Sequence, residues 1–163
     1  MKRLLVMRHA KSSWKEAGLS DHDRPLNKRG RKTAPVLGGL LVEQQMVPDL
    51  IVASTAERTR KTAELVAEAC QYEQQIIHES HLYLAPPSMY FNVIGQMPNE
   101  LETILVIGHN PGVEDLVALL TDRFRPMPTG ALAELILDID AWRQLNGKTA
   151  AELRNFWLPR ELI

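Results

Sequence analysis

Three short apolar runs, Leu4-Leu5-Val6-Met7, Leu50-Ile51-Val52-Ala53 and Ile104-Leu105-Val106-Ile107, constrain this chain more than anything else in it. They are continuous rather than alternating. A strand with water on one face alternates apolar and polar residues, so an unbroken run is the pattern of a strand covered on both faces, as in a parallel sheet. Helical periods separate the runs: Ala34, Leu37 and Leu41; then Ala63, Val66, Ala67 and Cys70; then Val113, Leu116, Val117 and Leu120. Further elements are expected as a strand around Ile76-Ile77, a helix from Ser88 to Met97, and late strands at Ala131–Asp138 and Ala150–Trp157. Strand and helix in regular alternation predict an α/β fold, a three-layer α/β/α sandwich with a mostly parallel central sheet. Two stretches read as loops, Ala10 to Leu26 and Arg123 to Gly130, on their Gly, Pro and Asp content.

At 163 residues the chain suits one domain, residues 1–163, with a sizeable core. Composition is ordinary for a globular protein, with 45% hydrophobic and 24% charged residues. The net charge of −1 carries no global basic excess, so neither nucleic acid nor an anionic membrane is an expected partner. Any anion recognition has to be local. Cys70 is the only cysteine, which excludes an internal disulfide and a thiolate zinc cluster. Arg8 interrupts the first apolar stretch before it reaches signal-peptide length, and no run approaches the roughly 20 residues of a membrane span. The expectation is a cytoplasmic protein.

Ligands of parallel α/β sheets bind outside the carboxyl ends of the strands. That rule selects Arg8-His9, Ser54 to Arg60, and Gly108-His109-Asn110-Pro111-Gly112. His9 and His109 each follow an apolar strand directly, whereas His22, His78 and His81 read first as surface histidines. Arg3, Arg31, Arg123, Arg125 and Arg160 read as solvated charges. Arg58 falls in the first turn of its helix, where a cation opposes the positive end of the helix dipole. Either a bound anion or an ion pair with Glu57 or Glu64 would relieve that conflict. Asn110-Pro111 is a helix start, with Asn as cap and Pro at the first helical position. His109 therefore sits by a helix N-terminus, whose free N–H groups attract anions. Arg8 and Arg58 bring planar forks matched to phosphate oxygens. The predicted site is a phosphate pocket holding two imidazoles, one of which could attack phosphorus. Nucleotide-binding glycine loops and the G-x-S-x-G elbow are missing. The cationic neighbours of His9 and His109 argue against metal ligation.

Leu5-Val6-Met7-Arg8-His9-Ala10 resembles the R-H-G signature of the histidine phosphatase superfamily, whose fold is that of phosphoglycerate mutase. Ser54-Thr55-Ala56-Glu57-Arg58-Thr59 with Thr62-Ala63 is similar to its S-x-x-x-R-T-x-x-T-A segment. Gly108-His109-Asn110 resembles the second catalytic histidine, and Arg24-Pro25-Leu26-Asn27-Lys28-Arg29-Gly30 resembles the R-P-L-T-x-x-G element. The R-H-A-K-S-S-W and D-H-D-R-P-L variants look most like the small SixA-like phosphohistidine phosphatases. The resemblance implies that His9 takes the phosphoryl group and that Arg8, Arg58 and His109 bind its oxygens. No cofactor or metal is implied. Ser12, Lys15, Arg24 and Asn110 are further candidates for phosphate or substrate binding. Lys15 stands where many members have a phosphate-binding asparagine, and His81, with Glu79 nearby, falls near the slot of the general acid in larger members. Lys11, Trp14 and Lys15 are expected at the mouth of the site. Weak acid provision favours a phosphoramidate over a phosphate ester, because an alkoxide leaving group depends more on a positioned acid. The implied partner is a phosphohistidine-bearing protein or a small phosphorylated substrate. The alternatives are a phosphatase of small phosphomonoesters and a non-catalytic phosphate-binding module.

Overall fold

A computed structural model describes residues 1–163. Its ten principal elements run β1 (Lys2–Arg8), α1 (Lys28–Glu43), β2 (Leu50–Ser54), α2 (Glu57–Cys70), β3 (Ile77–Glu79), α3 (Pro87–Ile94), β4 (Thr103–Gly108), α4 (Gly112–Thr121), β5 (Leu132–Leu137) and β6 (Ala151–Trp157). One six-stranded sheet takes the order β3-β2-β4-β1-β5-β6. β3, β2, β4 and β1 pair in parallel, while β5 runs antiparallel to β1 and β6 antiparallel to β5. The sheet is thus mixed, with β5 alone reversed.

The continuous apolar runs do what such runs must: successive residues face opposite sides and both sides are covered. Leu4 and Val6 of β1 join Val52, Ile104 and Val106 in a core beneath α3 and α4, closed by Tyr90 and Trp142. Leu5 and Met7 join Ile51, Ala53, Leu105 and Ile107 beneath α1 and α2. Helices on both faces give three layers. α1 and α2 cross closely at Gly38, where a Cβ would come within 2.6 Å of Ala69.

Register decides what the sheet's edge presents. Arg8 pairs with Gly108 across β1 and β4, and Ala53 with Ile107 across β2 and β4, so three strands end on one line. His9, Ser54 and His109 follow from that line. Because β5 is reversed, its entry lies at the same edge, and the 123–130 loop is brought to the site. Gly130, with φ +79°, turns the loop into β5 and donates its N–H to the carbonyls of Arg8 and His9. No helix is long and apolar enough to cross a membrane.

The helix after β4 starts later than the sequence suggests. Its first helical residue is Gly112 and its cap is Pro111, so Asn110 is not the cap. The Asn110 amide donates instead to the Met127 carbonyl at 2.8 Å, a long-range bond that the local capping pattern does not reveal.

Candidate active site

A cavity of about 520 Å³ opens at the ends of β1 and β4, lined by Arg8, His9, Ser12, Arg24, Arg58 and His109 among others. The His9 and His109 rings lie 5.2 Å apart, tilted by 54°. His9 Nδ1 sits 2.8 Å from the Ala10 carbonyl, which can only accept, so Nδ1 carries the proton and Nε2 keeps a lone pair. Burial pushes the His9 imidazole down to about 3, and Arg58, Arg8 and Arg24 push the same way against the Ala10 bond. It is a neutral base held among cations.

His109 belongs to a relay. Thr59 Oγ1 lies 2.8 Å from the Ala56 carbonyl and 2.9 Å from that of Ser54, so its single proton goes to a carbonyl oxygen. Ser54 Oγ, 2.7 Å away, then donates to Thr59 and accepts from His109 Nε2 at 2.6 Å. The neutral His109 ring is left with a bare Nδ1, buried and without a partner. Its pKa is pushed down to about 3, chiefly by burial and then by His9 and Arg58. Four of the five buried polar atoms without a partner, Arg8 Nε, Arg58 Nε, His109 Nδ1 and Asn110 Oδ1, belong to residues that line this cavity. Buried polar groups are ordinarily satisfied, and such a concentration marks a place for a polar ligand.

Asp21, in a short helical turn, organises the arginines. Arg58, whose side chain is 3% exposed, reaches its carboxylate at 3.0 Å and its carbonyl at 2.7 Å. Arg24 reaches the same carboxylate at 3.2 Å, and the Tyr83 hydroxyl donates to it. The Tyr83 hydroxyl bond and the two arginines outweigh desolvation and draw Asp21 down to about 2. Neither expected glutamate pairs with Arg58: Glu57 and Glu64 bind Arg60, and Asp21 pairs with Arg58 instead. Arg8 is held by the Met127 carbonyl at 3.1 Å, the same oxygen that takes Asn110. Burial lowers the Arg8 pKa.

Among the lesser candidates, Ser12 accepts from Arg24 at 3.1 Å, and both line the cavity. Trp14 lies under the Arg24 guanidinium at 3.4 Å and, with Lys11, forms part of the rim. Lys15 is exposed and is not among the lining residues. His81 is exposed outside the cavity and bonds Glu79 at 2.7 Å, so the structure brings neither of these two to the phosphate pocket. His22 stands nearer than a surface histidine would: it contacts Thr55 at 2.9 Å and the edge of Tyr83, which in turn packs on His109. Sequence reasoning missed Asp21, Tyr83 and the Met127 carbonyl. Asp21 had one usable signal, its place in the D-H-D-R-P-L stretch. No group of three His, Cys, Asp or Glu side chains is placed to hold a metal ion.

A constellation of neutral imidazoles and fixed arginines suits phosphoryl groups, whose charge spreads over three oxygens in transfer. The comparisons agree. The sequence model of the histidine phosphatase superfamily (branch 1) matches residues 4–82. An uncharacterised protein of Mycobacterium tuberculosis (strain CDC 1551 / Oshkosh) is 34% identical over 114 residues, 70% of this chain and 69% of its own. An Agrobacterium tumefaciens protein named for the phosphohistidine phosphatase SixA superposes with a TM-score of 0.82 at 28% identity, covering 97% of this chain and 98% of that one. The protein histidine phosphatase SixA complexed with tungstate gives a TM-score of 0.84 at 23% identity over 99% of both chains. Motifs scattered from Arg8 to His109, gathered by strand register onto one edge of the sheet, carry the same conclusion as these matches: the chain belongs to the histidine phosphatase superfamily, in its SixA-like branch.

Proposed function

We propose that this phosphatase removes phosphoryl groups from phosphohistidine in a signalling or phosphotransfer protein, carrying them in turn on His9. The observation that supports the reading is the composition of the cavity: two neutral imidazoles among Arg8, Arg24 and Arg58, with no carboxyl group in the lining. His9 Nε2 attacks phosphorus, the P–N bond to the substrate imidazole breaks, and that imidazole, already protonated on its other nitrogen, departs with the bonding pair as a neutral ring. Arg8, Arg24 and Arg58 offset the charge on the phosphoryl oxygens, a role that requires position rather than a metal ion. Water then attacks phosphorus, the P–Nε2 bond breaks, and phosphate leaves; His109 Nδ1 is the buried base available for the water's proton. Dividing one displacement into two is the ordinary gain of a covalent intermediate.

Leaving-group chemistry favours the phosphoramidate. A positioned acid is worth about 10²–10⁴-fold where an alkoxide must leave, and neither Glu79 nor His81 reaches the cavity. An imidazole protonated on its other nitrogen leaves as a neutral ring with far less help. A binding module would need the arginines but not a bare Nε2 beside a second imidazole.

Rapid quenching at neutral pH after mixing with a phosphohistidine peptide should trap an acid-labile, alkali-stable phosphoenzyme that is lost in His9→Ala. Its persistence in that variant would refute the nucleophile. Turnover of the same peptide against a panel of phosphomonoesters tests the substrate, and a clear preference for the esters would overturn it.

A further inference from the structure

Beside the catalytic cavity lies a smaller one of about 220 Å³. Lys11 from the loop after β1, Arg29 and Thr33 from α1, Thr129 from the loop before β5, and Arg160 from the C-terminal turn contribute its polar lining. It contains three cations, two hydroxyls and no carboxylate. Two glycines bring these elements together. A Cβ on Gly30 would collide with the Lys11 carbonyl, and one on Gly130 would meet Pro159 at 2.8 Å and Thr33 at 3.4 Å. The small cavity shares Lys11, Pro128 and Thr129 with the catalytic one, so the two are contiguous.

The charge here is uncompensated within the chain. Lys11, Arg29 and Arg160 take part in no ion pair. Arg29 also stands in the first turn of α1, which has no acidic residue, at the positive end of the helix dipole. Buried Arg58 has Asp21 as its partner; exposed Arg29 has no carboxylate partner within the chain and faces solvent. A third cavity of about 680 Å³ shares Arg8 and Asn110 with the catalytic one and Arg160 with the small one. That third opening carries Glu114 and Glu161, so the stretch free of carboxylates is the small cavity together with the catalytic one, an open groove that suits an extended polymer better than a closed pocket would.

We propose that the Lys11–Arg29–Arg160 cavity holds the acidic flank of a polypeptide substrate while the phosphorylated residue occupies the His9 pocket. The proposal rests on the reading of this protein as a phosphatase of phosphoproteins. It changes Arg160 from a solvated charge to a specificity residue.

Two phosphohistidine peptides that differ only in Glu or Gln beside the phosphorylated residue provide the kinetic test. At about 20 mM salt, kcat/KM should favour the Glu peptide by about tenfold, mostly through KM, and the preference should collapse near 300 mM, where charges are screened over a few ångströms. Arg29→Glu and Arg160→Glu should each abolish or invert the Glu-to-Gln ratio. Equal ratios in the unmodified protein, or a ratio both variants retain, would overturn the proposal. Calorimetric binding of the unphosphorylated Glu peptide to His9→Ala separates this from a failure of the phosphohistidine chemistry. Binding that Arg160→Glu removes supports the docking site whatever the catalytic substrate, and no binding refutes it. Tighter binding of a single-stranded RNA of equal charge through the same residues would reassign the groove.

Discussion

His9 and His109 should make the protein steeply acid-sensitive well above the range in which carboxylates titrate. Both are pushed down to about 3 in the native state, chiefly by burial, against about 6.5 for a histidine in an unfolded chain. The unfolded state therefore takes up a proton at each site that the native state refuses, and stability rises with pH wherever that difference exists. The stabilising effect is complete above about pH 6.5 and is lost as pH falls toward 3. For one such group the free-energy difference between pH 7 and pH 5 is about 2 kcal/mol, and for two about 4 kcal/mol. That is a large part of the 5–15 kcal/mol typical of a domain. Urea titrations followed by circular dichroism at half-unit pH steps would measure it, in buffers free of phosphate and sulfate so that no oxyanion fills the pocket. The His9→Gln/His109→Gln double variant should lose about 4 kcal/mol of this pH dependence relative to the unmodified protein. An unchanged slope in the double variant, or an imidazole resonance of His9 or His109 that titrates near 6.5, would refute the reasoning.

Asp21→Asn should destabilise the protein by about 1–2 kcal/mol, measured by urea unfolding. Breaking a buried pair costs about 3–5 kcal/mol, but the Asp21 side chain is 43% exposed and solvent screens part of that. Ser54→Ala removes the acceptor of His109 Nε2 and leaves a buried N–H unpaired, worth about 1–3 kcal/mol; nitrogen NMR should show His109 losing its single tautomer, and kcat should fall with it. Leu37→Ala, beneath the sheet on the α1 side and fully buried, should cost about 2–5 kcal/mol in chemical denaturation with the phosphoenzyme still formed.

The fold was legible because its central strands are covered on both sides, which makes their sequences uniform and unmistakable. β1, β2 and β4 appear where the apolar runs stand, and the two late strands fall within a residue of their expected ends. The reversal of β5 was not legible, since a strand fully buried in a sheet looks alike in either direction. Of the site, the residues that follow a strand could be read, because the strand's end fixes their position. What could not be read were bonds between distant segments. Asp21 meets Arg58 across 37 residues and Met127 meets Arg8 across 119, both in part or whole through a backbone carbonyl, which has no sequence signature. Lys15 and His81 fail for another reason: the resemblance placed them by matching positions in other members, and in this chain both side chains are exposed outside the cavity.

β1 has a consequence for how this protein can lose activity. Its residues Leu4 to Met7 are fully buried, contribute to both cores, and are bonded to β4 on one side and β5 on the other. Amides in such a strand exchange with solvent only through openings close to global unfolding. His9 follows that strand directly, and its own N–H is tied to the Gly108 carbonyl at 3.1 Å. Fraying or partial opening therefore offers no route by which the histidine drifts out of place while the rest stays folded. On heating, His9 should therefore hold its place until the whole molecule melts, and any earlier loss of activity should come from the loop that carries Asp21 and Arg24.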